Sequence, residues 1–202
     1  MRYEADSTKK EIEDLGIAVL ALTFAFTVSS YVGYRYHPPP GIAITILVYS
    51  FIAVIVAMLF HELAHRQVAR KYGGYARFKL WPIGVLISVI ISMLGFVIAV
   101  TGAVNIGGIY DRERMGKIAL AGPASNLVFG IVFLILAIAT PAYFQFSSLF
   151  VFLSRINFYI GTFNMIPFGP LDGGKVLAWN MRNFAVVFII SLFGTILSFV
   201  YL

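Results

Sequence analysis

The chain has 202 residues, of which 60% are hydrophobic and only 12% are charged. Apolar runs long enough to cross a bilayer recur along it, which predicts an all-α polytopic membrane protein and excludes a sizeable soluble domain. The formal net charge of +6 indicates membrane topology and anionic lipid headgroups in such a protein, not nucleic-acid binding. Cysteine is absent, so disulfides, thiolate metal ligands and cysteine nucleophiles are excluded.

Five apolar segments are each expected to form a spanning helix. In chain order they are residues 15–34, 42–71, 117–140, 147–165 and 184–202. Three prolines at positions 38–40 are expected to turn the chain before the second segment, because proline cannot continue a helix.

Residues 1–14 mix basic and acidic side chains, unlike a signal peptide, so the first segment is expected to stay in the mature protein. With no internal repeat or linker, residues 1–202 are expected to form a single integral-membrane domain.

A different pattern separates the second segment from the third. Residues 75–81 alternate apolar and basic side chains, which predicts a strand. Residues 82–101 are apolar but broken by Gly84 and Gly95, and they form either a sixth spanning helix or a re-entrant hairpin. A hairpin places 13 Lys and Arg in inner loops and 1 in an outer loop, whereas a full crossing gives 8 and 6.

The stronger charge bias favours the hairpin, because basic residues collect in cytoplasmic loops. We therefore expect about five to six transmembrane helices, with a membrane-associated β/re-entrant hairpin between the second and the third. The same bias predicts a multi-pass protein of the cell membrane whose inner loops face the cytoplasm.

One short motif near the end of the second segment points to chemistry. It is His61-Glu62-Leu63-Ala64-His65, which reads H-E-x-x-H. Residues four apart share a helix face, so both imidazoles can reach one metal ion. Glu62 is placed to take a proton from a metal-bound water. A chance match is the alternative, but ionisable groups are costly beside an apolar helix and therefore indicate function.

A catalytic zinc usually takes a third protein ligand and leaves one position for water. The candidates beyond the motif are His37, Asp111, Glu113 and Asp172. A helix of about 36 Å separates His37 from His61, which puts it out of reach. Asp111 and Glu113 alternate with arginines, as on a solvated face. Asp172, at the inner end of the fourth segment, is therefore the favoured third ligand, and an ordinary turn aspartate before glycine is the alternative.

The region around Asp172 forms a second motif. It is Asn164-Met165-Ile166-Pro167-Phe168-Gly169-Pro170-Leu171-Asp172-Gly173. Together with the H-E-x-x-H it resembles the site-2 protease family of intramembrane zinc metalloproteases, whose second signature is N-x-x-P-x-x-x-L-D-G. Every fixed letter matches. A further stretch looks like the central helix of that family: Gly122-Pro123-Ala124-Ser125-Asn126.

The resemblance covers residues 48–175 and implies a site. His61, His65 and Asp172 would be the zinc ligands, with Glu62 as general base. Asn126 and Asn164 would line the site and hold the substrate or the developing oxyanion. A helix–helix hydrogen bond is the alternative role for each asparagine.

These residues predict a zinc metalloendopeptidase that hydrolyses peptide bonds in or near transmembrane segments. The expected partners are a transmembrane protein substrate and the lipid bilayer. The alternative class is a metal-binding membrane transporter or a catalytically inactive scaffold, because intramembrane His and Asp also mark ion pathways. A metalloprotease acting on soluble substrates is a further alternative, but the loops are too short to form an aqueous cleft.

Overall fold

The protein is mainly helical, with one small sheet. The computed structural model describes residues 2–33, 39, 41–141, 143–144 and 146–200. Within them the chain forms, in order, α1 (Arg2–Val32), α2 (Ile42–Lys71), β1 (Tyr75–Leu80), α3 (Pro82–Ser92), β2 (Gly102–Gly107), α4 (Arg112–Ala139), α5 (Ser147–Asn164), α6 (Asp172–Trp179) and α7 (Met181–Val200). The strands β1 and β2 form the two-stranded sheet.

Four helical stretches among the described residues are long and apolar enough to cross a membrane. They are Thr8–Val32, Ile42–Lys71, Arg112–Ala139 and Met181–Val200. Length and composition therefore confirm a polytopic, mostly helical protein. The fourth predicted segment does form α5, but this helix has 18 residues, contains Arg155 and is not among the four stretches. The count of five to six spans stays a prediction.

Some helix ends coincide with the ends of the apolar segments in the sequence, and others do not. α2 occupies the predicted residues 42–71, and Gly73, with φ of +77°, turns the chain after it. α1 and α4 begin 13 and 5 residues before the predicted starts. Asp111 explains the second of these starts, because its side chain accepts a hydrogen bond from the Arg114 N–H at 2.9 Å and caps α4. Most of the proline-rich turn with His37, and Leu202, lie outside the described residues.

The segment at residues 82–101 returns to where it began. It consists of α3, a turn at Gly95 with φ of +84°, and an irregular stretch that leads into β2. The Trp81 N–H donates to the Thr101 carbonyl at 2.9 Å, so the two ends of the segment are neighbours, as in a hairpin. Gly84 does not break the helix as expected. It lies within α3, and a Cβ there would collide with the Val100 carbonyl oxygen, so glycine lets the returning chain pack on the helix.

The outer edge of β1 is covered by side chains of α1. The Phe78 N–H donates to Glu11 Oε1 at 3.0 Å, and the Leu80 N–H donates to Asp14 Oδ2 at 3.1 Å. An unpaired strand edge otherwise exposes backbone donors that attract other strands. The two carboxylates therefore occupy the acceptor positions that a further strand would supply.

The chain divides into two compact units. One comprises Met1–Phe51 with Arg77–Asn105, and the other comprises Ile52–Ala76 with Ile106–Leu202. α2 contributes residues to both. In the first unit α3 packs on α1, and in the second α4 packs on α5 and α6, with α7 against all three. The prediction that residues 1–202 form a single domain stays a prediction.

The second unit is held together by close helix contacts. The Phe158 ring of α5 lies between Gly130 of α4 and Gly194 of α7, where an added Cβ would come within 2.8 and 2.5 Å of the ring, respectively. Small residues allow helix backbones to approach closely within a membrane. All the predicted site residues belong to this unit.

Candidate metal centre

Three buried side chains from two distant parts of the chain meet in the second unit. His61 and His65 share one face of α2, and Asp172 is the first residue of α6. The Asp172 Oδ2 atom lies 3.2 Å from His61 Nε2 and 3.1 Å from His65 Nε2. One donor atom from each of the three residues lies within 4.8 Å of the other two. The structure thus brings together the three predicted ligands.

The donor set fits a zinc ion. Bonds of about 2.0–2.2 Å in a tetrahedral arrangement place neighbouring ligand atoms roughly 3.3–3.5 Å apart. The two measured separations from Asp172 Oδ2, 3.2 and 3.1 Å, are close to that value. Two imidazole nitrogens and one carboxylate oxygen are also a donor set that zinc prefers at catalytic sites. The three residues can therefore hold zinc without rearrangement of the helices.

His65 is oriented directly by the backbone. Its Nδ1 lies 2.6 Å from the Ile118 carbonyl oxygen of α4, and because a carbonyl only accepts, this nitrogen carries the proton. His65 Nε2 is then free to bind a metal. Pro123, inside α4, has no N–H to donate to the Ala119 carbonyl in the same stretch of the helix.

His61 is oriented by a side chain of α4. Its Nδ1 lies 2.6 Å from Asn126 Oδ1, and the Asn126 Nδ2 donates to the Ala57 carbonyl at 2.9 Å and to Asn157 Oδ1 at 3.3 Å. Asn126 is fully buried, and both of its N–H groups have protein partners. The expected contact between Asn126 and substrate stays a prediction, but the structure gives its amide these other partners.

Gly122 makes room for the two donor nitrogens. A Cβ at this position would lie 2.5 Å from His61 Nε2 and closer still to His65 Nε2. The α4 backbone therefore approaches the donor set where no side chain fits. Among the residues of the predicted central-helix stretch, Gly122 and Asn126 both act on the site, one by its lack of a side chain and the other by its amide.

Asp172 can reach the histidines because the first turn of α6 packs against the backbone at the end of α5. An added Cβ at Gly173 would collide with the Met165 carbonyl oxygen, so the glycine after the aspartate allows this close approach. Asp172 therefore does not lie in the ordinary turn that was its alternative role, but in the first turn of α6, where a negative charge is favoured. Lys175 Nζ lies 3.5 Å from Asp172 Oδ1.

Asp172 is held as an anion. Burial opposes ionisation of its carboxyl, but without a metal the imidazoles of His65 and His61, when they carry protons on both nitrogens, outweigh burial by charge and hydrogen bonding and hold the pKa of Asp172 well below its usual range. A carboxylate must be deprotonated to bind a metal. The carboxyl is therefore already in its ligand form.

The other two predicted residues lie on α2 and α5. Glu62 follows His61 on α2 and is half-buried. Asn164 is the last residue of α5 and is also half-buried, and its Nδ2 donates to the Ile160 carbonyl at 3.0 Å. The roles of Glu62 and Asn164 stay predictions.

Two residues contribute to the site without having been predicted from the sequence. Asn157, fully buried in α5, supports Asn126, and the Ile118 carbonyl orients His65. An amide within an apolar helix was the available indication for Asn157, since polar side chains are rare and meaningful there. The role of Ile118 could not be predicted from its side chain, because the contact is made by its backbone carbonyl and exists only in the folded protein.

The structure combines a buried His-His-Asp donor set with four helical stretches that are long and apolar enough to cross a membrane. This combination indicates the class of protein, an integral-membrane metalloenzyme. A model of peptidase family M50 matches residues 138–188, the part that contains Asp172 but not the H-E-x-x-H. A relative that is 39% identical over 89% of this chain shows that the chain belongs to this family, the site-2 protease family, and is an intramembrane zinc metalloprotease. The resemblance given by the two motifs is thereby confirmed, as is zinc as the expected cofactor.

Relatives support the family along most of the chain. The protein named "Putative zinc metalloprotease MJ0611", of Methanocaldococcus jannaschii, is 39% identical over 182 residues, which cover 89% of this chain and 90% of the relative. Zinc metalloprotease MJ0392 of the same organism is 32% identical over 63% of this chain and 32% of its own length. "Putative zinc metalloprotease Rip3" of Mycobacterium tuberculosis is 32% identical over 62% and 29%, respectively. No solved structure matches the chain.

The contact between Gly122 and the donor nitrogens predicts the effect of one methyl group. Gly122→Ala should weaken zinc binding by about tenfold or more, as disturbed ligand surroundings do. Gly174→Ala is the matched control, because nothing lies within 4 Å of a Cβ at that position. Metal analysis of the purified variants, with competition by a chelator, measures the difference. Equal zinc affinity in the two variants would contradict the close approach of α4.

Proposed function

We propose that this protein cleaves peptide bonds in or near the transmembrane segments of other membrane proteins. In this proposal residues 1–202 act as one protease domain. His61, His65 and Asp172 are the zinc ligands and Glu62 is the general base. The observation that carries the proposal is the convergence of His61 Nε2 and His65 Nε2 on Asp172 Oδ2, at 3.2 and 3.1 Å, among buried residues.

The proposed reaction is hydrolysis by water at the scissile carbonyl. When bound, zinc supplies Lewis-acid polarisation of that carbonyl and a water that loses its proton more readily. Glu62 accepts the proton from the attacking water. As the carbon–nitrogen bond breaks, Glu62 passes the proton to the leaving amine, so that one water is consumed and a carboxyl and an amine are produced.

The other residues have supporting roles in the proposal. Asn164 is the half-buried asparagine, and we keep for it the role of contacting the substrate or the developing oxyanion. The resemblance implies the same role for Asn126. Its hydrogen bonds to His61, Ala57 and Asn157 instead favour a role in orienting His61, a proposed zinc ligand. Fully buried amides that bond within the protein do not present donors to a substrate.

The proposed arrangement in the membrane has five spans, α1, α2, α4, α5 and α7, with the sheet and α3 as the hairpin. α5 is included because its 18 residues reach about 27 Å at about 1.5 Å per residue, close to the hydrocarbon thickness. The bias of basic residues then places the site toward the cytoplasmic side of the cell membrane. Backbone without helical bonds at membrane depth requires burial in protein, and the covered β1 edge is consistent with that.

The role of Glu62 is tested by replacing its carboxylate with an amide. Glu62→Gln keeps the size of the side chain and is not expected to remove a zinc ligand. Cleavage of a model transmembrane substrate should fall at least about a hundredfold, because general bases contribute typically 10²–10⁴-fold. The assay compares wild type and variant at equal zinc content. A transporter or inactive scaffold would show no zinc-dependent cleavage in either, and near-wild-type cleavage by the variant would refute the mechanism.

The third ligand is tested by metal content. Asp172→Ala leaves two histidines and should lose most bound zinc during purification. Asp111→Ala is the control among the other acidic candidates, because Asp111 is exposed and caps α4, so its loss costs stability of only about 1 kcal/mol. Full zinc occupancy in Asp172→Ala would remove the assignment.

The topology is tested with single cysteines in this cysteine-free chain. Met115→Cys and Ala178→Cys should react with an impermeant thiol reagent only after the membrane is opened, because the basic loops are proposed to face the cytoplasm. Tyr143, 91% exposed after α4, should become reactive from outside as Tyr143→Cys. External labelling of both Met115→Cys and Ala178→Cys would overturn this orientation.

A further inference from the structure

We propose that Asn157 is a positioning residue, which acts through Asn126 to hold His61 with its Nδ1 protonated and its Nε2 facing Asp172. The inference rests on the proposed role of His61 as a zinc ligand. Asn157 lies on α5, Asn126 on α4 and His61 on α2. The three side chains form one chain of hydrogen bonds across three helices.

The direction of these hydrogen bonds is fixed at two backbone carbonyls. Asn157 Nδ2 donates to the Leu153 carbonyl at 2.8 Å, so its Oδ1 is the atom that faces Asn126. Asn126 Nδ2 donates both to that oxygen at 3.3 Å and to the Ala57 carbonyl at 2.9 Å. Exchanging the oxygen and nitrogen of either amide would set an oxygen against a carbonyl oxygen, with no proton between them.

The orientation of Asn126 then determines the tautomer of His61. Asn126 Oδ1 lies 2.6 Å from His61 Nδ1, and an amide oxygen only accepts, so Nδ1 carries the proton. A neutral imidazole has one N–H, which leaves the Nε2 lone pair directed at the donor set. Partners of this kind fix the ring of a metal-binding histidine and are known to change metal affinity by about 10–100-fold.

The two histidines differ in a way that makes the inference testable. His65 is oriented by the Ile118 carbonyl, which no substitution removes. His61 depends on side chains, and Asn157 is one step further from the metal than Asn126. Loss of Asn157 leaves Asn126 Nδ2 with the Ala57 carbonyl alone, so the amide that orients His61 is held by one hydrogen bond fewer.

A purely structural role for Asn157 has a different expected result. Buried amides between helices also stabilise a membrane protein by hydrogen bonding alone. Ser154 provides the matched control, because it is buried on α5 and its Oγ donates to the Gly130 carbonyl of α4 at 2.9 Å. It therefore joins the same two helices, and the hydrogen bonds of Asn126 do not include it.

The experiment measures zinc affinity by chelator competition and, separately, the thermal midpoint of the zinc-free protein. Asn157→Leu should weaken zinc binding by about tenfold, at the low end of the effect of such partners, and Ser154→Ala should leave it within about twofold while lowering the midpoint. Asn157→Asp should recover most of the affinity, because its protonated, buried carboxyl offers an acceptor to Asn126 and a hydroxyl to the Leu153 carbonyl. Unchanged zinc affinity in Asn157→Leu, or an equal loss in Ser154→Ala, would overturn the proposal.

If Asn157→Leu does not fold, a second measurement on the wild-type protein still tests the proposal. The chain has three histidines, so nitrogen-15 spectra of histidine-labelled, zinc-loaded protein are simple to assign. His61 should show a proton on Nδ1 that exchanges slowly with solvent, and a bare Nδ1 would overturn the proposal. Wild type that binds zinc but cleaves nothing defeats the proposed function alone. Wild type that binds no zinc defeats both.

Discussion

The contact between the Asp172 carboxylate and the two imidazoles of α2 is the constraint that the second unit has to satisfy. An isolated charge of this kind is very costly among apolar side chains, so it must be paired and its surroundings hydrogen-bonded. His61 and His65 each use their second nitrogen for a partner on α4. The close packing of α4 against α2 and α6 is therefore a requirement of the donor set as much as of the apolar core.

That packing involves three residues that lack either a side chain or a backbone N–H group. Gly122 has no side chain where the donor nitrogens lie, Gly173 has none where α6 passes under Met165, and Pro123 has no N–H to close its helical turn. Each would weaken an ordinary helix by about 1 kcal/mol or more. At Gly122 and Gly173 the missing side chain lets α4 approach the two histidines and α6 approach the end of α5.

Much of this arrangement was predictable from sequence, and the limits have physical reasons. The apolar pattern predicted α2, and period-two alternation predicted β1. The H-E-x-x-H fixed a shared helix face because its spacing is local. The start of α1 was missed because the pattern marks where lipid begins, whereas charged residues also continue a helix. The helix that begins at Asp172 is not evident from the sequence, because a glycine after an aspartate is typical of a turn, whereas Gly173 serves the packing of α6 against Met165.

Chain order adds a consequence for how the centre is assembled. His65 is separated from Ile118 by 53 residues, His61 from Asn126 by 65, and His65 from Asp172 by 107. At a synthesis rate of about 5–20 residues per second, the ribosome needs roughly 5–20 s to pass from His65 to Asp172. The partners on α4 emerge before the carboxylate does. Both imidazoles can thus reach their final orientation and tautomer while the nascent chain still lacks Asp172, so the helix that carries this carboxylate meets a site whose other half is already set.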